Sequence, residues 1–536
     1  MRPAPKPKAS LLPWIALAIL AVVPYLTALP DPILHDDRVL LRNNAWIASQ
    51  ANAVTVFGHD FWFGTGRARS DLYRPVTILS LAWNSRLSDS PMSFRAVNSA
   101  LHAGVTLCVA WVLSLLLSVP DGDRSPPPVA AWIGAAVFAV HPLASEAVLW
   151  IVGRAEMLAA GFGLLAFGLF IRLGRRQDLG GGALALSATL FFLALCSKES
   201  AAAWLVIGAI WCVVRSSSIE TPRPMLIARS TAYAGAFGLF FVLRTSCVGW
   251  GKVATVFVDN PLVAAGTLTR WANAVLLLGF YAIKAIFPIR LSIDWAFDEI
   301  PVVPLVPWGG LAAVLLLVMW GGVAALLWRR SRLGTFLFLF FPAGFAVTGN
   351  IVTTIGTNFA ERLAYLPLVG FCGLAGYALA SLGWSRRAIT ACVAALVVLW
   401  GARTAARGLD YRSAEALYAA TARATPRAVK SLVSLGLVRL HTAGRPDLAI
   451  PPLERAVAIW PDYPRALNLL AEAYARTGDD ERAPRSRARG GGCGEAAGDV
   501  QPRGGLAGRR GRPALALRFR VSAGRSALDI TRTGKK

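Results

Sequence analysis

Residues 11–30 have the sequence LLPWIALAILAVVPYLTALP, and this stretch decides what kind of fold the chain can adopt. About 20 apolar residues span the hydrocarbon core of a bilayer as a helix, at a rise of ~1.5 Å per residue. The run is longer than the apolar part of a typical signal peptide, and it ends in a poor cleavage site, Leu29-Pro30-Asp31-Pro32. We therefore favour a first transmembrane helix over a signal peptide, preceded by a basic cytoplasmic N-terminus at residues 1–10.

Similar apolar runs recur along the chain, in which 55% of the residues are hydrophobic. They lie at about residues 97–119, 131–150, 157–173, 183–197, 201–215, 230–246, 307–328, 334–348, 363–381 and 388–402. Continuous runs of this length favour helices over the alternating strands of a membrane barrel. The predicted fold class is therefore all-α, a polytopic transmembrane helical bundle of about eleven spans within residues 11–410.

The net charge of +25 would suit a nucleic-acid-binding protein, but its distribution argues against that class. Much of the excess lies in arginine clusters between apolar runs, at residues 172–176, 329–332 and 386–387, and such clusters mark cytoplasmic loops. If residues 271–289 crossed the membrane, the 329–332 cluster would fall outside. We therefore predict a re-entrant or in-plane helix there, buried against protein, with the loop 31–96 and the C-terminal region on the outer face.

The predicted outer loop 31–96 carries the motif His35-Asp36-Asp37-Arg38. Two adjacent carboxylates repel each other, so the pair suits a site that needs negative charge to take up a proton or to hold a cation. The structural alternative is a solvated turn. Taken alone the pair does not decide between these interpretations.

Other polar residues lie close to the predicted spans, where a charge costs ~2.5–3.5 kcal/mol or more at the bilayer centre, which makes them functional candidates. They are Arg74, Asn98, His102, His141, Glu146, Arg154, Glu156, Lys198, Glu199, Asp294, Glu361, Arg362 and Tyr365. The alternatives are an interior histidine, an asparagine that joins helices, or charges that anchor a helix end. The four cations are predicted to share the outer face with the acid pair, as an anionic phosphate substrate and a general base require.

The C-terminal region changes in character after Tyr411, and residues 425–481 contain a repeat. At an offset of 35 residues, close to the ~34-residue tetratricopeptide period, Leu432, Leu435 and Gly436 recur as Leu467, Leu470 and Ala471. We predict a short α-helical tetratricopeptide repeat region at 411–481. Arginine and glycine dominate residues 482–536, so this tail is predicted to be a basic disordered segment or a frame-shifted translation.

The motifs and their order resemble the multi-spanning O-mannosyltransferases that carry tetratricopeptide repeats, the TMTC family, and their bacterial relatives in the GT-C superfamily. The resemblance covers about residues 10–480. It is carried by Asp36-Asp37, Tyr73-Arg74-Pro75, Asn98 with His102, His141-Pro142 through Glu146, Gly153-Arg154-Ala155-Glu156, Lys198-Glu199, Asp294-Trp295 and Glu361-Arg362-Leu363-Ala364-Tyr365. The chain departs from the family at Ala144, where a second histidine is common.

This resemblance implies a GT-C type glycosyltransferase that moves mannose or another hexose from a polyprenyl-phosphate donor to a hydroxyl of a protein or envelope acceptor. It implies inverting transfer on the outer face, with Asp36 or Asp37 as catalytic base. Arg74, Arg154 and Lys198 would hold the lipid phosphate. The expected partners are membrane lipid, the lipid-linked donor, the acceptor and a protein bound by the repeats. The expected location is the bacterial cytoplasmic membrane, with the repeats on its outer face.

Three other functions stay open on the residues alone. An oligosaccharide ligase or polymerase of envelope polysaccharide would use similar donors, and a membrane-anchored repeat scaffold would need no acid pair. A transporter is expected to show inverted repeats or paired broken helices, and none is visible in the sequence. The seven cysteines form no CxxC pair, and no further carboxylate completes a metal site beside Asp36-Asp37, so a divalent metal requirement is left open.

Overall fold

The computed structural model describes residues 10–29, 36–42, 44, 47, 52–65, 71–118, 127–175, 180–215, 223–250, 255–479, 481 and 482. All regular secondary structure in these residues is helical, as predicted. His35 and the tail beyond residue 482 lie outside the described residues, and so does the choice between a disordered and a frame-shifted tail.

The helices up to residue 410 are α1 (Leu12–Val22), α2 (Asp36–Arg42), α3 (Ala53–Phe57), α4 (Pro75–Leu87), α5 (Pro91–Leu117), α6 (Val129–Val140), α7 (Ser145–Leu149), α8 (Arg154–Arg175), α9 (Gly181–Ser197), α10 (Ala203–Arg215), α11 (Arg223–Val248), α12 (Thr267–Ile286), α13 (Gly310–Arg330), α14 (Arg332–Gly344), α15 (Pro367–Ser381) and α16 (Arg386–Asp410). The C-terminal region adds α17 (Ala414–Ala424), α18 (Val429–Leu437), α19 (Pro446–Ile459) and α20 (Pro464–Thr477).

Five helical segments of the described residues are long and apolar enough to cross a membrane, namely Pro91–Leu117, Ile151–Gly174, Met225–Val248, Leu305–Arg330 and Arg386–Asp410. A sixth arises if α6 and Pro142–Leu149 form one span bent by 51°. Shorter apolar helices occur at Leu12–Ala28, Gly181–Ser197, Arg332–Gly344 and Pro367–Ser381. The chain is thus a multi-pass membrane protein, whereas the count of about eleven spans stays a prediction.

The described part of segment 31–96, which the sequence predicted as an outer-face loop, is largely helical. It contains α2, α3 and α4, and α5 begins in it at Pro91. Both α4 and α5 start with a proline at their first position, where the missing N–H has no intrahelical partner to lose. The start of α4 fixes the position of Arg74, which immediately precedes it.

The core of the membrane domain includes a close crossing of α6 and α15. A Cβ atom on Gly376 would lie 2.4 Å from the Ala130 carbonyl oxygen and 2.6 Å from the Gly134 nitrogen. Small residues allow such backbone contact, and membrane helices use it because lipid offers no hydrophobic driving force. The crossing fixes α6, whose last residue precedes His141.

The repeat region packs α18 against α19 and α19 against α20. Gly436 permits this approach, because a Cβ there would lie 2.5 Å from Cγ of Leu453. Phe257 and Val258, from the loop between α11 and α12, and Phe297, from the loop between α12 and α13, are buried in the same core. The repeats are therefore seated on two loops of the membrane domain.

Candidate functional site

Arg74 and Glu199 form the first of three ion pairs that meet at one end of the bundle. Arg74 precedes α4, and Glu199 opens the short 3₁₀ segment Glu199–Ala202 after α9. Arg74 Nε lies 2.9 Å from Glu199 Oε2. The Tyr73 N–H donates to Glu199 Oε1 at 2.7 Å. Both carboxylate oxygens of Glu199 are thus engaged by the same turn of chain.

The second ion pair joins Lys198, at the end of α9, to Glu156, in the first turn of α8. Lys198 is 7% exposed. Its burial lowers the pKa of the ammonium group to about 8, an effect that Glu156 opposes and that the charges of Arg74 and Arg362 reinforce. The lysine is therefore protonated at neutral pH but close to its titration range.

Arg362 and Glu146 form the third ion pair. The Arg362 backbone N–H donates to Glu146 Oε2 at 2.8 Å, and the guanidinium donates to the other oxygen. The guanidinium carbon also lies 5.5 Å from the ring centroid of Trp150. Glu146 is fully buried, whereas the side chain of Arg362 is 31% exposed, so the cation is the accessible member of this pair.

We call these six residues the ion-pair cluster: Arg74, Glu146, Glu156, Lys198, Glu199 and Arg362. The sequence led us to expect four cations on the same face as the acid pair, and three of these cations form ion pairs with glutamates. Burying a charge is costly without a partner, which is why each cation is matched locally. A phosphate group that approaches the cluster could bind Arg362 or Arg74 through charge-assisted hydrogen bonds.

Asp37, the second residue of the acid pair, is 1% exposed. Its Oδ2 accepts the N–H of Ile151 at 3.1 Å, and its Oδ1 accepts the N–H of Val152 at 2.9 Å. The carboxylate thus ties α2 to the turn that precedes α8. The backbone of Asp36 begins α2, and its side chain lies outside what the structure describes.

Arg154 is fully buried at the start of α8, and all three guanidinium nitrogens donate hydrogen bonds. Nε donates to Asn98 Oδ1 at 2.8 Å, Nη1 to the Ser80 carbonyl at 3.0 Å and Nη2 to Asn84 Oδ1 at 2.7 Å. Asn98 in turn donates to the carbonyls of Val148 and Trp150, at 3.1 and 3.0 Å. Arg154 and Asn98 therefore join α4, α5 and α8 below the ion-pair cluster.

Two predicted histidines lie deeper in the bundle with both ring nitrogens engaged. His102 Nε2 faces the Ala139 carbonyl at 3.0 Å, so it carries the proton, and Nδ1 accepts from the Tyr365 hydroxyl at 2.8 Å. His141 Nε2 donates to the Ala285 carbonyl at 3.0 Å, while Nδ1 accepts the Leu143 N–H at 3.2 Å. Each arrangement requires a neutral imidazole that links two helices.

Glu361 and Asp294 lie on the side of the repeats. Glu361 Oε1 accepts the Ser292 N–H at 2.7 Å and Trp295 Nε1 at 3.2 Å, while the buried Oε2 has no hydrogen-bond partner. Burial raises the pKa of Glu361 to about 7, although the nearby Arg407 counteracts the shift. Asp294 Oδ2 accepts from the Ser431 hydroxyl of α18 at 2.7 Å.

The structure adds residues that the sequence analysis missed. Asn84 binds Arg154 and also donates to Ser93 Oγ at 2.8 Å. Its position within the apolar run before Arg86 was an available signal. Trp150, whose ring faces the guanidinium of Arg362, could not be singled out from the sequence, because tryptophan is common at the ends of membrane helices. In the described part of the chain no group of three or more His, Cys, Asp and Glu residues is arranged to hold a metal ion.

Comparison of the sequence with known proteins identifies a matching family model and several relatives. A tetratricopeptide repeat family model matches residues 401–464 and 442–486, which confirms the predicted repeats. Protein O-mannosyl-transferase TMTC4 of Homo sapiens is 27% identical over 479 residues, covering 80% of this chain and 64% of the relative. TMTC1 of Homo sapiens is 28% identical over 87% of this chain and 58% of its own length.

A third relative, Protein O-mannosyl-transferase Tmtc3 of Drosophila melanogaster, is 25% identical over 85% of this chain and 56% of its own length. The chain therefore spans about three fifths of the length of these curated relatives. The similarity covers the membrane domain and confirms the resemblance that its motifs indicate. The chain is a distant relative of the TMTC protein O-mannosyl-transferases, with tetratricopeptide repeats at its C-terminal end.

Proposed function

We propose that the chain is a GT-C type membrane glycosyltransferase. It transfers mannose or another hexose from a polyprenyl-phosphate donor to a hydroxyl of a protein or envelope acceptor. The observation that carries the proposal is the convergence of Arg74, Lys198 and Arg362 at one end of the bundle. The names of the relatives favour mannose and a protein acceptor.

In the proposed reaction Asp36 is the catalytic base and Asp37 is a positioning residue. This division is supported by the two backbone N–H groups that occupy the oxygens of Asp37. Asp36 takes the proton of the acceptor hydroxyl as the oxygen forms a bond to the anomeric carbon. The bond from that carbon to the donor phosphate oxygen breaks, and its electron pair leaves with the phosphate. Attack opposite to the leaving group inverts the configuration.

The cations of the ion-pair cluster stabilise the phosphate charge that grows as this bond breaks. Arg362 and Arg74 are the more exposed of the three and bind the phosphate, and Lys198 adds charge from beneath. Arg154, Asn98, His102, His141 and Tyr365 hold the helices in place, which their saturated hydrogen bonds support.

The proposed topology has about eleven spans, with α12 re-entrant or in the membrane plane and the cluster on the outer face of a bacterial cytoplasmic membrane. The repeats then lie on the same face, where α18 contacts Asp294, and bind the acceptor protein. The test is transfer of labelled mannose from polyprenyl-phosphate mannose in vesicles containing the purified protein. Transfer should require Asp36, and mass spectrometry of envelope proteins from a deletion strain should show one missing hexose. Unchanged glycans and inactive vesicles would refute the proposal.

A further inference from the structure

A cavity of about 580 Å³ lies between α8, α9, α10 and α11, away from the ion-pair cluster. Its volume falls within the range of ~300–1,000 Å³ that ligand sites occupy. Aromatic side chains form much of its wall, namely Phe167, Phe170, Phe191, Trp204, Tyr233 and Phe237. The lining residues Val213 and Leu226 are exposed on the surface of the bundle, so the cavity opens sideways, toward lipid.

Arg229 is the charged residue among those that line this cavity, and it is 4% exposed. Its Nη2 donates to the Phe170 carbonyl at 2.6 Å, and its guanidinium carbon lies 3.6 Å from the Phe170 ring centroid. Its Nε has no hydrogen-bond partner in the part of the chain that the structure describes. Among the described residues no carboxylate forms an ion pair with Arg229, and the ionisable groups that act on it are Cys212 and Tyr233.

Burying a charged arginine without a counter-ion is costly. The aromatic contact with Phe170 offsets part of this cost, but it supplies no negative charge, and the described residues supply none either. An anionic ligand at the cavity would supply one. The apolar walls require the same ligand to carry hydrocarbon.

Arg229 lies at the opposite end of the bundle from the ion-pair cluster. Its partner Phe170 follows Glu156 by 14 residues of α8 (170 − 156), or ~21 Å along the helix. Arg229 is also four residues, or ~6 Å along the helix, from the start of the candidate span Met225–Val248. It therefore lies near the end of this span, which is the end that the headgroup region of a bilayer would cover.

We propose that this cavity binds an anionic phospholipid from the leaflet opposite the ion-pair cluster. An acyl chain lies among the aromatic side chains, and the headgroup phosphate neutralises Arg229. The isoprenoid tail of a lipid-linked sugar is the other candidate occupant, but a hydrocarbon tail would leave Arg229 without an anion. The proposal does not depend on the catalytic function proposed above.

The test is native mass spectrometry of the full-length protein in detergent, titrated with phosphatidylglycerol or with phosphatidylcholine. Arg229→Gln removes the charge and Arg229→Lys keeps it. Gly208→Leu fills the cavity while Arg229 stays, because a Cβ on Gly208 meets no atom within 4 Å. The controls are Arg330→Gln, at the exposed end of α13, and Gly235→Leu, an equally open glycine of α11 outside the cavity wall.

The wild-type protein and both controls should retain one phosphatidylglycerol per chain in preference to phosphatidylcholine. Arg229→Gln should weaken that preference about five-fold, given ~1 kcal/mol per basic residue near anionic lipid, and Arg229→Lys should restore it. Gly208→Leu should lose both lipids, and it tests the site even if Arg229→Gln fails to fold. Equal retention by wild type, Arg229→Gln and Gly208→Leu would overturn the proposal. Displacement of phosphatidylglycerol by a polyprenol, which has the isoprenoid tail but no phosphate, would also overturn it, because the cavity would then bind the tail without an anion.

Discussion

Asp37 accepts the backbone N–H of Val152 through Oδ1 at 2.9 Å, across 115 residues of sequence. With the bond from Ile151 to Oδ2, it fixes the turn from which α8 begins. Both carboxylate oxygens of Asp37 therefore accept hydrogen bonds from the backbone. For this reason we expect substitutions of Asp36 and of Asp37 to have different effects.

Asp37→Asn should destabilise the protein by ~1–3 kcal/mol, because an asparagine has one acceptor oxygen where two N–H groups need an acceptor. Asp36→Asn should abolish sugar transfer, because it removes the proposed base. The measurements are thermal unfolding in detergent and transfer of labelled mannose in vesicles. If Asp36→Asn transferred at the wild-type rate, Asp36 would not be the base.

Donor affinity should depend on the protonation of Lys198, whose pKa burial lowers to about 8. The positive charge is complete below that pH and disappears as the pH rises through it. The KM for polyprenyl-phosphate mannose should therefore rise above about pH 8. Lys198→Arg should flatten this rise, since the guanidinium stays charged. Identical pH profiles for the two proteins would contradict the assignment.

Arg154→Met should lower the free energy of unfolding by at least about 3 kcal/mol. It leaves the oxygens of Ser80, Asn84 and Asn98 without their buried donor. Thermal unfolding in detergent measures the effect. Arg330→Met, at an exposed position, should change stability by no more than about 0.5 kcal/mol. Equal effects of the two substitutions would show that Arg154 does not join the helices.

The stability of the protein should fall as the pH rises toward 7, because of Glu361. Its folded-state pKa is raised to about 7 from an ordinary value of 4.5. The folded state therefore retains a proton that the unfolded state has lost, and this stabilisation is complete below about pH 4.5 and lost by about pH 7. Glu361→Gln should reduce the fall in Tm between about pH 5 and 8. Asp462→Asn, at an exposed position, should not, and equal reductions would contradict the role of Glu361.

Gly436→Ala should destabilise the repeat region by ~1–3 kcal/mol, since the new methyl group would press against Leu453. Limited proteolysis of the C-terminal region provides the measurement. Gly356→Ala is the control, because a Cβ there meets no atom within 4 Å. Equal protease resistance of both variants would mean that α18 and α19 accommodate the methyl group.

The helical class, the multi-pass architecture and the repeats could be predicted from the sequence because each leaves a local pattern. An apolar run predicts a membrane helix without knowledge of the residues that pack against it. The recurrence of Gly436 as Ala471 likewise predicts a stacked repeat. The bend at Pro142 was also visible, although residues 131–150 were predicted as one span. A proline within a helix removes a hydrogen bond and breaks its regularity.

The partners of the charged residues could not be predicted, because no spacing rule joins residues so far apart. Glu146 and Arg362 are separated by 216 residues, and Lys198 and Glu156 by 42. The adjacent residues Lys198 and Glu199 even bind different partners on different helices. The sequence identified all six members of the cluster, but the pairing within it depends on how the helices pack.

Glu361 and Arg362 are adjacent but face different neighbours. Glu361 binds the loop at Ser292 on which the repeats are seated, and Arg362 binds Glu146 in the ion-pair cluster. The loop that carries the repeats and the ion-pair cluster are therefore held in a fixed relative position, because the two residues that contact them are joined by one peptide bond. This link through Glu361 and Arg362 is additional to the covalent connection that the 25-residue helix α16 makes along the chain. The distance between the loop that carries the repeats and the ion-pair cluster is therefore set by the covalent geometry of two adjacent residues.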